Sequence, residues 1–356
     1  MMSLIEMNLP LIWLFLIGFF LLYYAAMDGA DLGIGMISLF SKDEKERLLL
    51  MESIGTLWHS NQTWLLILGG MLFGAFPMFY ALLLSSLYIP MVAMLGGLIF
   101  RGVAFEFRTH ARHRRLWSLS FGFGSLLATV AQGFALGGLL SGLEVVNGRF
   151  AGSLWGWLNP FSVLVALGVL FGYLMLGANY LSWRTEGLLQ QWCFRWSKAA
   201  SVITLFISIG VYLWTTARYP FMARKWVKVP DLITAGFFPL LAGAAFIMYF
   251  RSLRNHRAFA TLLYNFAIVL LSFVGLSVGL YPYMIPNVIA SPITVREAAA
   301  SPQTLWTMLA VMLFLLPVIL GYTLYSYRVF RGKVENGYNT PDASRDRDAL
   351  ERRTDL

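Results

Sequence analysis

Cysteine, histidine and charge are all scarce in this chain, and each scarcity closes off a class of function. One cysteine, Cys193, among 356 residues excludes an intrachain disulfide and leaves no thiolate cluster for zinc or iron–sulfur. It falls in an expected cytoplasmic loop, where it reads as a reduced bystander. Four histidines are too few for a transmembrane haem wire, which needs axial His or Met ligands at several depths. His110, His113 and His256 fall in basic loops, and only His59 lies near an apolar segment. The 16 methionines read as core filler in apolar helices. Charged residues make up 13% of the chain against 58% hydrophobic, which excludes an ordinary soluble domain.

What is abundant is apolar sequence in lengths that span a bilayer, about 20 residues each. Nine runs stand out: Leu9–Phe40, Trp64–Leu82, Leu87–Phe100, Leu116–Leu140, Leu164–Leu181, Ala199–Trp214, Ile233–Phe250, Phe259–Tyr281 and Leu305–Tyr327. The second and third are hard to divide, since no charge separates His59 from Arg101, and a turn is expected between Pro77 and Pro90. Residues 1–10 carry Glu6 and no basic region, so the first helix is expected to remain rather than be cleaved as a signal peptide. The expected fold is therefore all-α and polytopic, with about nine transmembrane helices.

Basic residues set the expected orientation. The odd-numbered loops and the tail hold 21 of the 27 Lys and Arg, so the N-terminus is expected outside and the C-terminus in the cytoplasm. The net charge of +9 then reflects topology, with no need for nucleic acid as a partner. Arg218–Lys228, with Tyr219 and Trp226, breaks the pattern and reads as an interfacial segment. The polar stretch 333–356 reads as a disordered cytoplasmic tail. Met27-Asp28-Gly29-Ala30-Asp31 and Met175-Leu176-Gly177-Ala178-Asn179 form a weak internal repeat. Within a single membrane domain, 1–332, this suggests two four-helix halves, about 9–140 and 161–281, followed by a ninth helix at about 305–327.

Polar residues inside these runs carry the functional signal. Asp28 and Asp31, three apart, share a helix face, and a carboxylate in a membrane helix costs about 2.5–3.5 kcal/mol on insertion scales. Either they form a structural pair with an arginine or neighbouring backbone, or they lie on a proton or cation path. Gly29 and Gly33 beside them would let another helix come close. A second island, Trp58-His59-Ser60-Asn61-Gln62-Thr63-Trp64, opens the second helix. An aromatic belt with polar capping explains its tryptophans. His59, Asn61 and Gln62 together also suit ordered water and proton intake. Arg101, at the end of the third run, either snorkels or serves as counter-ion to Asp31 or Asp28. Glu106 is expected to pair locally with Arg108 or His110, and Tyr281-Pro282-Tyr283-Met284-Ile285-Pro286-Asn287 to form a turn.

Taken together, Asp28-Gly29-Ala30-Asp31-Leu32-Gly33-Ile34-Gly35, Trp58-x-x-Asn61-Gln62-x-Trp64-Leu65 and Phe100-Arg101-Gly102-Val103-Ala104-Phe105-Glu106-Phe107-Arg108 resemble subunit II of cytochrome bd-type quinol oxidases. Tyr281 to Pro286 and Leu316-Pro317-Val318-Ile319-Leu320-Gly321-Tyr322-Thr323 match in the same order, so the resemblance covers about residues 10–333. Ile293 to Ala299 leans toward the cyanide-insensitive branch.

The resemblance implies a heterodimer with a subunit I that holds the haems (b and d-type, or b only) and the quinol site. It implies that this chain binds none of them and is not catalytic alone. The complex would sit in the bacterial inner membrane, oxidise quinol and reduce dioxygen with cytoplasmic protons. Lipid, quinone and small single-helix accessory subunits complete the expected surroundings. By matching positions, Asp31, Trp58 and Arg101, with Asn61, Gln62 and Trp64 around them, would support the haem site and assembly. Asp28, His59 and Asp31 are the proton-path candidates. Many relatives carry Asp or Glu where this chain has His59. A secondary transporter using Asp28 and Asp31 as a proton or cation site and a purely structural subunit are the alternatives.

Overall fold

The computed structural model describes residues 2–55, 57–218, 231–285 and 292–329. The expected interfacial segment beyond Arg218, Pro286-Asn287 and the tail lie outside them. Twelve helices are described: α1 (Met2–Ser38), α2 (Glu44–Ile54), α3 (Leu57–Ala75), α4 (Pro77–Ser86), α5 (Tyr88–Arg108), α6 (Arg114–Ser141), α7 (Pro160–Arg184), α8 (Gly187–Arg218), α9 (Asp231–Arg254), α10 (Ala258–Leu280), α11 (Val295–Ala298) and α12 (Pro302–Val329). Eight are long and apolar enough to cross a membrane, and α3 with α4 makes a ninth candidate if that bent pair is one span. The fold is the all-α polytopic one that the apolar runs predict.

Three expectations need correction. The second span is not Trp64–Leu82: α3 begins at Leu57 and ends at Ala75, and α4 leaves it at 118°. Pro77 causes the break, because it bars Phe76 from helical backbone (φ −134, ψ 63) and then opens α4 from its N-terminus. Residues 44–54, read as loop, form the extra helix α2, started by Asp43, whose carboxylate accepts from the Glu46 backbone N–H at 2.7 Å. Cys193 is not in a loop; α8 starts 12 residues before the expected Ala199 and carries it fully buried.

α1 is the organising element. Its first half (Leu9, Trp13, Ile17, Phe20, Tyr24) joins one apolar core with α3, α4 and α12, and its second half (Ala30, Ile34, Met36, Ile37) joins another with α6, α7, α8 and α9. It packs on α7, α3 and α6, while α5 pairs with α6, α7 with α8, and α9 with α10. The α1–α7 crossing is backbone on backbone. A Cβ on Gly33 would run into the Tyr173 carbonyl oxygen, and one on Gly177 would meet the Gly33 carbonyl carbon at 2.6 Å. Two small antiparallel strand pairs lie between the helices. β1 (Val145–Val146) and β2 (Arg149–Phe150) turn through Asn147 (φ 50) and Gly148 (φ 73), the left-handed pair that a two-residue hairpin favours. β3 (Tyr283–Ile285) pairs with β4 (Ile293–Thr294), and α11 follows behind a capping box of Thr294 and Glu297.

Exposed apolar side chains such as Phe15, Leu66, Leu240 and Phe314 cover the outer helix faces, as a surface against lipid or another membrane subunit requires.

Candidate functional site: a buried ion cluster

Sequences 70 residues apart meet where α1, α3 and α5 converge. The Arg101 guanidinium donates through Nη1 to Asp28 Oδ1 at 2.6 Å and through Nη2 to Asp31 Oδ2 at 3.4 Å. Arginine and both aspartates are buried. Arg101 is thus counter-ion to both carboxylates, and the planar fork of its guanidinium is what allows one cation to reach two anions. Asn61 on α3 donates from Nδ2 to Asp31 Oδ2 at 2.8 Å, and Tyr327 on α12 donates to Asn61 Oδ1 at 2.9 Å. The glycines of α1 bring α7 against the same helix, closing the cluster from that side.

Trp58 is buried, with the Arg101 guanidinium 5.9 Å from its ring centroid and the His59 ring stacked on it at 3.6 Å. Trp64 belongs elsewhere. It is fully buried in the aromatic core, with its ring 4.3 Å from that of Tyr23 and against Phe19 and Phe20. Gln62 is half-buried. His59 is exposed and faces Glu106, 3.4 Å away; no bond joins it to Asp28 or Asp31 among the described residues. The expected local partners of Glu106 are corrected accordingly. Arg108 turns instead to Glu44 at 3.0 Å and to Ser118 at 2.8 Å.

That last contact belongs to a peripheral knot. Glu44 on α2 accepts from Ser118, from Arg108 and, at 2.8 Å, from Arg47, whose Nε also caps the end of α1 at the Ser38 carbonyl, 3.0 Å away. Partial burial would raise the Glu44 carboxyl, but the bonds from Ser118, Arg108 and Arg47 outweigh it and hold the group below its ordinary 4.5. The knot fastens α2 and α6 to the end of the helix that carries the aspartates.

Several polar residues escaped the sequence reading. Tyr173 O–H donates to Gln132 Oε1 at 2.9 Å and Gln132 Nε2 donates to the Tyr24 hydroxyl at 2.8 Å. Gln132 alone left a trace, as an isolated amide in the apolar run of α6. In the second half, Asn179 on α7, Ser197 on α8 and Tyr249 on α9 form a buried neutral cluster: Ser197 donates to Asn179 Oδ1 at 2.5 Å, Asn179 Nδ2 to Tyr249 at 3.2 Å, and the two hydroxyls lie 2.7 Å apart. Asn179 stands in Met175–Asn179 where Asp31 stands in Met27–Asp31, and Tyr249 follows Asn179 by the same 70 residues by which Arg101 follows Asp31.

A multi-pass membrane protein with an arginine and two aspartates tied in a buried cluster is the class that fold and site define. The family model for cytochrome bd terminal oxidase subunit II matches residues 9–330, and the chain belongs to that family. Among curated relatives, cytochrome bd-I ubiquinol oxidase subunit 2 of Escherichia coli is 28% identical over 92% of this chain and 95% of its own length. Cytochrome bd ubiquinol oxidase subunit 2 of Bacillus subtilis is 29% identical over 91% and 96%. In fold, a chain in the structure of bd oxidase from Geobacillus thermodenitrificans superposes with a TM-score of 0.77, at 16% identity over 91% of this chain and 98% of that one. The protein is a multi-pass subunit of a respiratory quinol oxidase in the bacterial inner membrane, and these relatives give the transporter alternative no support.

Proposed function

We propose that this chain is the haem-free partner of a haem-bearing subunit I, that its buried ion cluster holds the assembly together, and that the cluster supplies cytoplasmic protons for reducing dioxygen to water. The observation that carries this reading is one guanidinium shared by two buried carboxylates. Two anions against one cation leave an unbalanced charge, which a buried site resolves by taking up a proton. A group that binds a proton inside an apolar helix bundle is what a delivery route needs. Asp31, Trp58, Arg101 and Asn61 form the supporting frame, with Gln62 and Trp64 fixing α3 beside it. Asp28, Asp31 and, at the surface, His59 are the carriers.

The donor set supports placing the haems in subunit I. All four histidines are exposed, His59 beside Glu106 and His110, His113 and His256 in or next to turns, so no facing pair is available inside the bundle. Haem and quinol chemistry then belongs to the partner, while this chain positions helices and holds protons. The division into two four-helix halves with a ninth helix, the N-terminus outside and the C-terminus in the cytoplasm completes the reading. Lipid, quinone and small accessory subunits are its expected neighbours.

Turnover and haem content, measured on the co-purified complex, test it. Asp28→Asn and His59→Phe should slow quinol-dependent oxygen consumption with haem content unchanged, and more steeply as pH rises. Unchanged turnover in both correctly assembled variants would assign proton supply to a route inside subunit I.

A further inference from the structure

The two aspartates are not equivalent, and their difference says where the proton sits. Asp28 has no exposed side-chain surface and receives the short bond from Arg101, 2.6 Å. Its second oxygen, Oδ2, is buried without a hydrogen-bond partner. Tyr24, one helical turn before Asp28 on α1, accepts from Gln132 and makes no hydrogen bond to Asp28 Oδ2. The short charge-assisted bond from Arg101 is therefore what holds Asp28.

Asp31 is held differently. Its bonds from Asn61, at 2.8 Å, and from Arg101, at the long distance of 3.4 Å, both fall on Oδ2. Oδ1 has no donor among the described residues, and the side chain keeps 5% of its surface exposed. The charged and titratable groups around Asp31 are Arg101 and Asp28, with Tyr23 on α1, Tyr180 on α7 and Tyr327 on α12. Neutral tyrosines add no charge, so among the described residues Arg101 is the cation paired with both aspartates.

We infer that the resting cluster holds one exchangeable proton on Asp31, and that the Arg101 guanidinium stays paired with Asp28. Asp31 is the aspartate with surface left to exchange a proton, and Asp28 is the partner that holds Arg101 in place. This rests on reading the cluster as a proton site.

Infrared spectroscopy of the assembled oxidase tests it through the carbonyl stretch of a protonated carboxyl. Asparagine variants would not separate the aspartates, because removing either lets the survivor ionise against Arg101. The informative changes alter one neighbour or one chain length. A protonated-carboxyl band should shift in Asp31→Glu and in Asn61→Leu, and stay in place in Asp28→Glu and in Tyr24→Phe. A band that follows Asp28→Glu and Tyr24→Phe instead overturns the assignment while leaving the proton site standing, as does one that moves in all four and marks a shared proton. If no band responds to any variant, both carboxylates are charged, a second cation comes from the partner subunit, and the proton-site reading falls as well.

Discussion

Two regions of this chain bury polar residues at matching sequence spacings and make different use of them. Near α1, the first half buries Asp28, Asp31 and Arg101 with Asn61. At the same spacing along the chain, α7, α8 and α9 bury Asn179, Ser197 and Tyr249, all neutral. A neutral cluster in an apolar bundle fixes helices through hydrogen bonds, each worth about 0.5–1.5 kcal/mol net. It needs no charged partner in exchange. An ion cluster is a poorer fastener for its cost, since desolvating ions consumes much of the gain. A charged cluster at only one of the two sites fits the proton role proposed for it, while the neutral cluster serves as a joint.

The largest expected effect comes from removing the shared cation. Arg101→Leu leaves two carboxylates without a partner, a penalty of about 3–5 kcal/mol. Complex recovered with subunit I should fall severely, as should its haem absorbance. Normal spectra and activity would reduce the cluster to ordinary packing. Next comes an exchange between halves. Asn179→Asp should sharply lower complex yield by burying a lone carboxylate, and adding Tyr249→Arg should recover part of the loss. If the double variant does no better than the single, the two sites are not structural counterparts.

Smaller effects should follow at the joints. Tyr249→Phe removes a hydroxyl bonded to Asn179 and Ser197, costing about 1–2 kcal/mol; a lower melting temperature with an unaltered haem spectrum is expected. The smallest effect is at Glu44, whose side chain is a third exposed, so the knot is worth about 0.5 kcal/mol. Because the folded carboxyl lies below its ordinary 4.5, its contribution is complete above pH 4.5 and is lost as pH falls through the lower folded value. Glu44→Gln should therefore reduce thermal stability slightly at neutral pH, and the gap from the parent protein should close in acid.

The sequence revealed the first half better than the second for a physical reason. Asp28, Asp31 and Arg101 stand out because ionised groups are rare in apolar helices, so their grouping was open to inference before any coordinates. Asn179 stood out only as the end of the weak repeat, Ser197 and Tyr249 are common enough in membrane helices to pass unnoticed, and only the repeat arithmetic could have drawn Tyr249 to attention. Partners distant in sequence were also hidden. Glu106 has a basic residue and a histidine nearby, yet it faces His59, 47 residues earlier. The break at Phe76 was expected only as a turn somewhere in a long apolar stretch, since Pro77 limits its neighbour without dictating a direction. α2 was missed because charges at Glu44, Lys45, Glu46 and Arg47 resemble a loop until Asp43 is seen to cap them.

The separation of Asp31 from Arg101 by 70 residues also has a consequence for biosynthesis. At about 5–20 residues per second, the ribosome needs about 4–14 s to make the arginine after the second aspartate. For that interval Asp28 and Asp31 lack the Arg101 guanidinium that pairs with them in the folded bundle. A carboxyl without a counter-ion in an apolar medium is carried most cheaply as the neutral acid. The order of translation therefore favours a proton as the first partner of these carboxyls, with Arg101 arriving second as the bundle assembles.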